Sequence, residues 1–275
     1  LQTPPAHTTA VPVDQAALRA VVGGALSEGR ELLTEPEAKA LLAAAGLPVV
    51  PTRTVPPDAR AVAEAATAIG FPAVIKILSA DISHKSDVGG VRLNLASAAE
   101  AEQAALAMLD RVRRERPDAV LQGFTVQPMV RLAHAHECIV GASVDPVFGP
   151  VVLFGAGGVA VEVLADRALA LPPLNTPLAL AQIQRTRIAK LLKGYRDEPA
   201  ADIDAIAQVL VSVSQLLADV PELAELDINP LLANHEGAVA LDARVRVSAQ
   251  CPAGAKNFAI QPYPQELVET WDWQG

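Results

Sequence analysis

Cysteine is nearly absent from the 275 residues, which hold only Cys138 and Cys251. Two thiols so far apart make neither a disulfide framework nor a zinc site. Aromatic residues are 3% of the chain, too few to offer stacking platforms to nucleic-acid bases. Positive charge is also short: 22 Lys and Arg stand against 31 Asp and Glu, a net charge of −9. That balance sets nucleic acid and anionic membrane surfaces aside as main partners. No apolar run reaches the roughly 18–20 residues of a membrane span, and the start lacks a basic-then-apolar signal segment. The G-x-x-x-x-G-K-[ST] phosphate loop is missing too. The expectation is a soluble cytoplasmic protein with no nucleic acid and no membrane as partner. A first residue of Leu1 instead of Met points to one module of something longer.

What is present is a packable chain, 51% hydrophobic, long enough for one large domain or two lobes. Both ends read as linkers: residues 1–12 are rich in Pro, Thr and Ala, and residues 248–275 carry three prolines and both tryptophans. Between them helical and strand patterns alternate. Helices are expected over Val13–Glu28, Glu35–Ala45, Asp58–Ile69, Ser97–Arg116, Arg185–Leu192 and Ile203–Ala218. The Thr34-Glu35-Pro36-Glu37 capping signal opens the second of them, and Gly46 and Gly70 close the second and third. Strands are expected at Val49–Val55, Pro72–Leu78, Val91–Leu95, Phe124–Val130, Glu137–Ser143 and Val151–Phe154, followed by a hairpin of Leu226–Leu232 with Ala238–Val245. Mixed elements in two groups predict an α/β or α+β fold with two lobes.

Five stretches can carry chemistry. Lys76 sits inside the apolar run Val74-Ile75-Lys76-Ile77-Leu78, and strand alternation puts Val74, Lys76 and Leu78 on one face. A lysine there either snorkels from an edge strand or meets an anion such as phosphate. The loop His84-Lys85-Ser86-Asp87-Val88-Gly89-Gly90 offers an imidazole nucleophile and glycine N–H groups for phosphate, though its composition also suits a surface turn. Gly155–Ala160 matches the dinucleotide pattern G-x-G-x-x-G/A, but Pro172-Pro173 follow quickly and Asn175 stands near the place of the ribose acid, so NAD is not expected. His134, His136 and Cys138 share a strand face without a fourth ligand. Finally, a turn centred on His235-Glu236 would set Asn229 opposite Asp242 and Asp227 opposite Arg244. Those oxygens suit a hard cation such as Mg²⁺, and they suit a solvated outer face equally well. Pro230 weakens the expected pairing, since it has no N–H for a ladder.

These residues, with VQPMV, ECIVG, DPVFGPVVLFGAGG, LLKG and ELDINPL…ALDAR in that order, resemble the ATP-grasp domain of the ADP-forming acyl-CoA synthetases. The likeness covers about Thr34–Val247. It implies an α+β ATP-grasp fold, two lobes clasping a nucleotide: a helical extension at 13–33, a first lobe at 34–125 and a second at 126–247. It implies an ADP-forming CoA ligase module, incomplete alone, with ATP/ADP and Mg²⁺ as cofactors. By the same resemblance Lys76 holds the phosphates, Gly89 and Gly90 border them, and His84 takes the γ-phosphate. Gln127 stands where relatives carry an acid, Met129 and Val130 meet adenine, and Glu137 lies near ribose and phosphates. Gly157, Gly158 and Glu162 border the phosphate site, and Asn229, Asp242 and Asp227 hold the metal. The tail QPYPQELVETWDWQG resembles the joint to a GNAT acetyltransferase domain. CoA-binding and ligase domains and a GNAT domain are therefore implied partners, and an oligomer is possible. Two other readings stay open: an ATP/ADP sensor regulating an acetyltransferase, and a carboxylate–amine ligase without phosphohistidine.

Overall fold

A computed structural model describes residues 12–82, 85–158, 166–194, 196 and 198–250. His84 and Glu162 lie outside them, as do the linker stretches 1–11 and 251–275.

Two antiparallel sheets organise the chain. The first is built from β1 (Arg53–Val55), β2 (Ala73–Leu78), β3 (Val91–Leu95) and β4 (Gly123–Pro128), in the order β1-β4-β2-β3. Helices α3 (Ala59–Ile69) and α4 (Ala98–Glu115) pack on it. Each starts at a capping side chain, Asp58 accepting from Ala61 N–H at 2.7 Å and Ser97 from Glu100 N–H at 3.2 Å. Ile75 and Ile77 join Phe124, Val126, Met108 and Val62 in one core. Alternation then turns Val74, Lys76 and Leu78 to the other face, as the sequence predicts. That face looks toward the second sheet.

The second sheet runs β10-β8-β5-β6-β7, with β9 paired to β8. Its strands are β5 (His136–Asp145), β6 (Gly149–Ala156), β7 (Arg167–Ala170), β8 (Leu223–Asn234), β9 (Gly237–Ala240) and β10 (Ala243–Val247). Helices α5 (Thr176–Gln184), α6 (Ala189–Leu192) and α7 (Ile203–Asp219) follow β7 in the chain and share the sheet's core. The turn does fall at His235-Glu236, with Asn234 opposite Gly237 and Asp227 opposite Arg244. Pro230 is accommodated inside β8 because the β5–β8 register shifts between Cys138 and Val140. Its carbonyl still accepts from Leu241 N–H at 3.1 Å.

Several expectations need correction. α1 (Gln15–Ser27) and α2 (Glu35–Ala44) belong to the core of the second sheet, not to an extension and a first lobe. Leu18, Leu41 and Leu42 are fully buried there, and residues 31–50 are laced to β9 and β10: Leu33 N–H to Val245 O at 3.0 Å, Val50 N–H to Ala240 O at 3.0 Å. The strand expected at Val49–Val55 is only Arg53–Val55, because Val49 and Val50 bridge to Ala240 instead. The helix expected at Arg185–Leu192 shrinks to Ala189–Leu192, while α5 and β7 were not foreseen. Gly155–Ala156 end β6, which pairs antiparallel with β7, and the parallel crossover of a dinucleotide-binding turn is thereby excluded.

Candidate active site

A cleft of about 320 Å³ lies where β2, the start of α2 and the β8–β10 hairpin meet. Four of the residues singled out in the sequence line it together: Lys76, Asp227, Asn229 and Asp242. Ile82 and Lys85, which stand on either side of Ser83-His84 in the chain, line it too.

Lys76 is the hinge of the arrangement. Its Nζ donates to Glu35 Oε1 at 2.8 Å and to Asp242 Oδ2 at 3.0 Å, which uses two of its three donors. Burial alone would lower its pKa, but the Glu35 and Asp242 carboxylates outweigh it and hold the ammonium charged. One donor remains for an anion entering the cleft.

Glu35 is the residue that sequence reasoning missed. It opens α2, and its side chain is only 2% exposed. Oε1 accepts from Lys39 at 3.0 Å as well as from Lys76, and Oε2 accepts from Lys85. Burial pushes this carboxyl up, yet Lys76, Lys39 and Lys85 together hold it well below the usual carboxylate range. Lys39 spends its other two donors on Thr52 Oγ1 at 2.9 Å and Gln127 Oε1 at 2.7 Å. Burial dominates at Lys39 and lowers its pKa despite Glu35. Gln127 thus stands behind the cleft as a partner of Lys39. Three ammoniums against the Glu35 and Asp242 carboxylates leave the cluster with a net positive charge, which suits phosphate.

On the opposite wall, Asn229 N–H donates to the Asp242 carbonyl at 3.3 Å, so the hairpin register places these two side by side. Burial raises the Asp227 pKa, Arg244 opposes that, and the Asp242 charge adds to it. Two carboxylates that repel each other beside an amide oxygen form a hard-oxygen set, and a divalent cation would relieve both the burial and the repulsion. The donor set therefore fits Mg²⁺.

The other candidate residues fall elsewhere. The N–H groups of Gly89 and Gly90 donate to Ser86 O at 3.0 Å and Lys85 O at 2.7 Å, so they turn inward instead of toward a phosphate. What requires glycine is packing: a Cβ on Gly90 would stand 2.5 Å from Ile77 Cδ1. Met129 follows β4, with its N–H on Pro72 O at 2.8 Å, and Val130 comes next in the chain. Glu137 and the Gly157-Gly158 turn are brought together: Gly157 N–H donates to Glu137 O at 2.8 Å. A Cβ on Gly158, whose φ is +71°, would meet Glu137 Oε2 at 2.2 Å. Cys138 is buried in the second core, its thiol pushed up to about 12 by burial. His134 pairs with Glu198 at 2.5 Å. Among the described residues no group of three His, Cys, Asp or Glu is placed to hold a metal, and no helix is long and apolar enough to cross a membrane.

The profile of the ATP-grasp domain family matches residues 24–247. The chain belongs to the ATP-grasp family. The beta subunit of acetate–CoA ligase (ADP-forming) I from Pyrococcus furiosus is 39% identical over 227 residues, 82% of this chain and 96% of that subunit. This ATP-grasp chain therefore falls within the beta-subunit family of ADP-forming acetate–CoA ligases. The 4-hydroxybutyrate–CoA ligase (ADP-forming) of Nitrosopumilus maritimus is 35% identical over 86% of this chain, which spans only 34% of that longer protein. Among solved structures, the dinucleotide-forming acetyl-CoA synthetase 1 of Ca. Korarchaeum cryptofilum has a TM-score of 0.73 and 34% identity. The match covers 84% of this chain and 99% of that one. That structure holds coenzyme A and Mg-AMPPCP, with its phosphohistidine segment pointing towards the nucleotide-binding site. The two sheets described above are thus the two lobes of an α+β ATP-grasp fold.

Proposed function

We propose that this chain binds Mg·ATP in the cleft between its sheets and transfers the γ-phosphoryl group to His84. This is the ATP half-reaction of an ADP-forming acyl-CoA synthetase. The observation that carries the reading is the meeting of Lys76 with Asp242 beside Asn229 and Asp227, in a cleft also lined by the residues flanking Ser83-His84. The ADP-forming ligases among its relatives, and the phosphohistidine segment of the archaeal synthetase, support the same chemistry.

In this reading the third Lys76 donor binds a phosphate oxygen, and Lys85 adds a second positive charge at the cleft wall. Asn229, Asp242 and Asp227 hold Mg²⁺, which supplies charge neutralisation at the transferring phosphoryl oxygens. A neutral imidazole has a ring-nitrogen lone pair to offer as nucleophile. His84 forms the N–P bond as the bond from γ-phosphorus to the bridging oxygen breaks, and ADP departs. Positioning in line supplies most of the remaining acceleration. Gln127, Met129, Val130 and Glu137 are assigned to the adenosine side, and Gly157, Gly158 and Glu162 to the border of the phosphate site. Acyl transfer and CoA capture would belong to the remaining two-thirds of the longer single-chain relatives. The likeness of the 261–275 stretch to a GNAT joint supports an acetyltransferase as a neighbouring domain.

Rapid mixing with Mg·ATP tests the half-reaction. Wild type should release a burst of one ADP per chain, and His84→Ala none. Steady ADP release without a burst, equal in both proteins, would replace phosphohistidine formation by plain hydrolysis.

A further inference from the structure

We infer that Glu35 is a positioning residue that fastens Lys85, and with it the loop carrying His84, to the phosphate-binding Lys76; this rests on the proposed transfer to His84. The two oxygens of Glu35 face different tasks. Oε1 takes the two buried lysines, Lys39 and Lys76, and Oε2 takes Lys85 from the loop.

The carboxylate is well anchored to act as a fixed point. It sits in the first turn of α2, where the helix N-terminus favours negative charge. That helix start is itself pinned, since Glu37 accepts from Thr34 N–H at 2.7 Å and from Arg30 Nη1 and Nη2 at 2.9 and 2.7 Å. Lys39, one turn along, is saturated by Glu35, Thr52 and Gln127 and has no donor to give a ligand. A negative Glu35 would repel phosphate directly, so any benefit to transfer must act through the lysines it holds.

The loop side is equally specific. Lys85 follows His84 directly, and its carbonyl is fixed by Gly90 N–H at 2.7 Å, while Gly90 O accepts from Ile77 N–H at 2.9 Å. The downstream end is thus sewn to β2 by its backbone. The Lys85 side chain, 17% exposed, ties the end nearer His84 to Glu35. Losing that tie would leave Lys76 and its spare donor in place while loosening the approach of the nucleophile.

The test is a split between ATP affinity and transfer rate in the full chain, comparing wild type, Glu35→Gln, Lys85→Met and the double variant. Both single substitutions keep side-chain volume. Affinity is read by calorimetry with the non-transferring analogue Mg-AMPPCP, and transfer as single-turnover ADP formation at saturating Mg·ATP. Each single variant should slow transfer by about 10- to 100-fold, the scale of one charged hydrogen bond, and should weaken affinity several-fold less than that. The double variant should be no slower than Glu35→Gln. Losses that multiply in the double variant, or variants that lose affinity while transferring at the wild-type rate, overturn the inference. Hydrogen exchange of the Lys85–Gly90 amides without nucleotide decides the tie independently of the chemistry. Faster exchange in both single variants supports it, and unchanged exchange overturns it. A wild type that makes no ADP defeats the proposed transfer alone, because the exchange comparison still decides the tie.

Discussion

The Lys76 ammonium and the Asp242 carboxylate, 166 residues apart in sequence, meet at 3.0 Å across the cleft. One belongs to the first sheet and the other to the β9–β10 turn of the second. This contact joins the proposed phosphate-binding group to a proposed metal-binding group, and the predictions below follow from it and from the Glu35 cluster behind it.

Lys76→Met should weaken Mg·ATP binding by about 10- to 100-fold, the cost of one charge-assisted hydrogen bond to phosphate. Methionine fills the space and cannot donate. Calorimetry against ATP reads the effect, and unchanged affinity would remove Lys76 from the site.

Asp242→Asn should raise the Mg²⁺ concentration needed for half-maximal ADP formation by at least several-fold, since it takes one negative charge from the oxygen set. Lys76 keeps a hydrogen-bond acceptor in the amide oxygen. A Mg²⁺ titration that superimposes on wild type would contradict the hairpin as metal site.

Acid should expose the Glu35 network. The three lysines hold the native carboxyl below its ordinary range, so its stabilising contribution is complete above the unfolded pKa of about 4.3 and is lost as pH falls toward the lower native value. Denaturant unfolding from pH 5 to pH 3 should show wild type losing up to about 1.4 kcal/mol per pH unit more than Glu35→Gln. Equal slopes for the two proteins would mean that Glu35 is not ion-paired in solution.

The place of α2 is testable separately. Leu41 is fully buried in the second core, and Leu41→Ala should cost about 2–5 kcal/mol. Hydrogen exchange should rise in β8 and β10, not in β2 and β4. The reverse pattern would return α2 to the first lobe.

The hairpin register that brings Asp227, Asn229 and Asp242 to one wall was legible because strand alternation and a turn position fix it. Once His235-Glu236 is the turn, Asp227 must oppose Arg244, as it does. Lys76 was legible for a similar reason, an ammonium alternating with buried isoleucines. Glu35 and Lys39 were not. A Glu and a Lys four residues apart on a helix read as an exposed surface pair, and only the packing of the first sheet over the start of α2 buries them. Helix α5 was hidden by prolines: Pro172, Pro173 and Pro177 read as loop, although Pro177 sits in the first turn, where proline is tolerated. Strand β7 has four residues and an exposed Leu169, too short and irregular to show a period.

The most direct measurement is the intact mass of the chain after incubation with Mg·ATP, for wild type and His84→Ala, before and after acid treatment. Wild type should gain one phosphate that acid removes, and His84→Ala should gain none. An acid-stable phosphate, or the same gain on both proteins, would contradict transfer to His84.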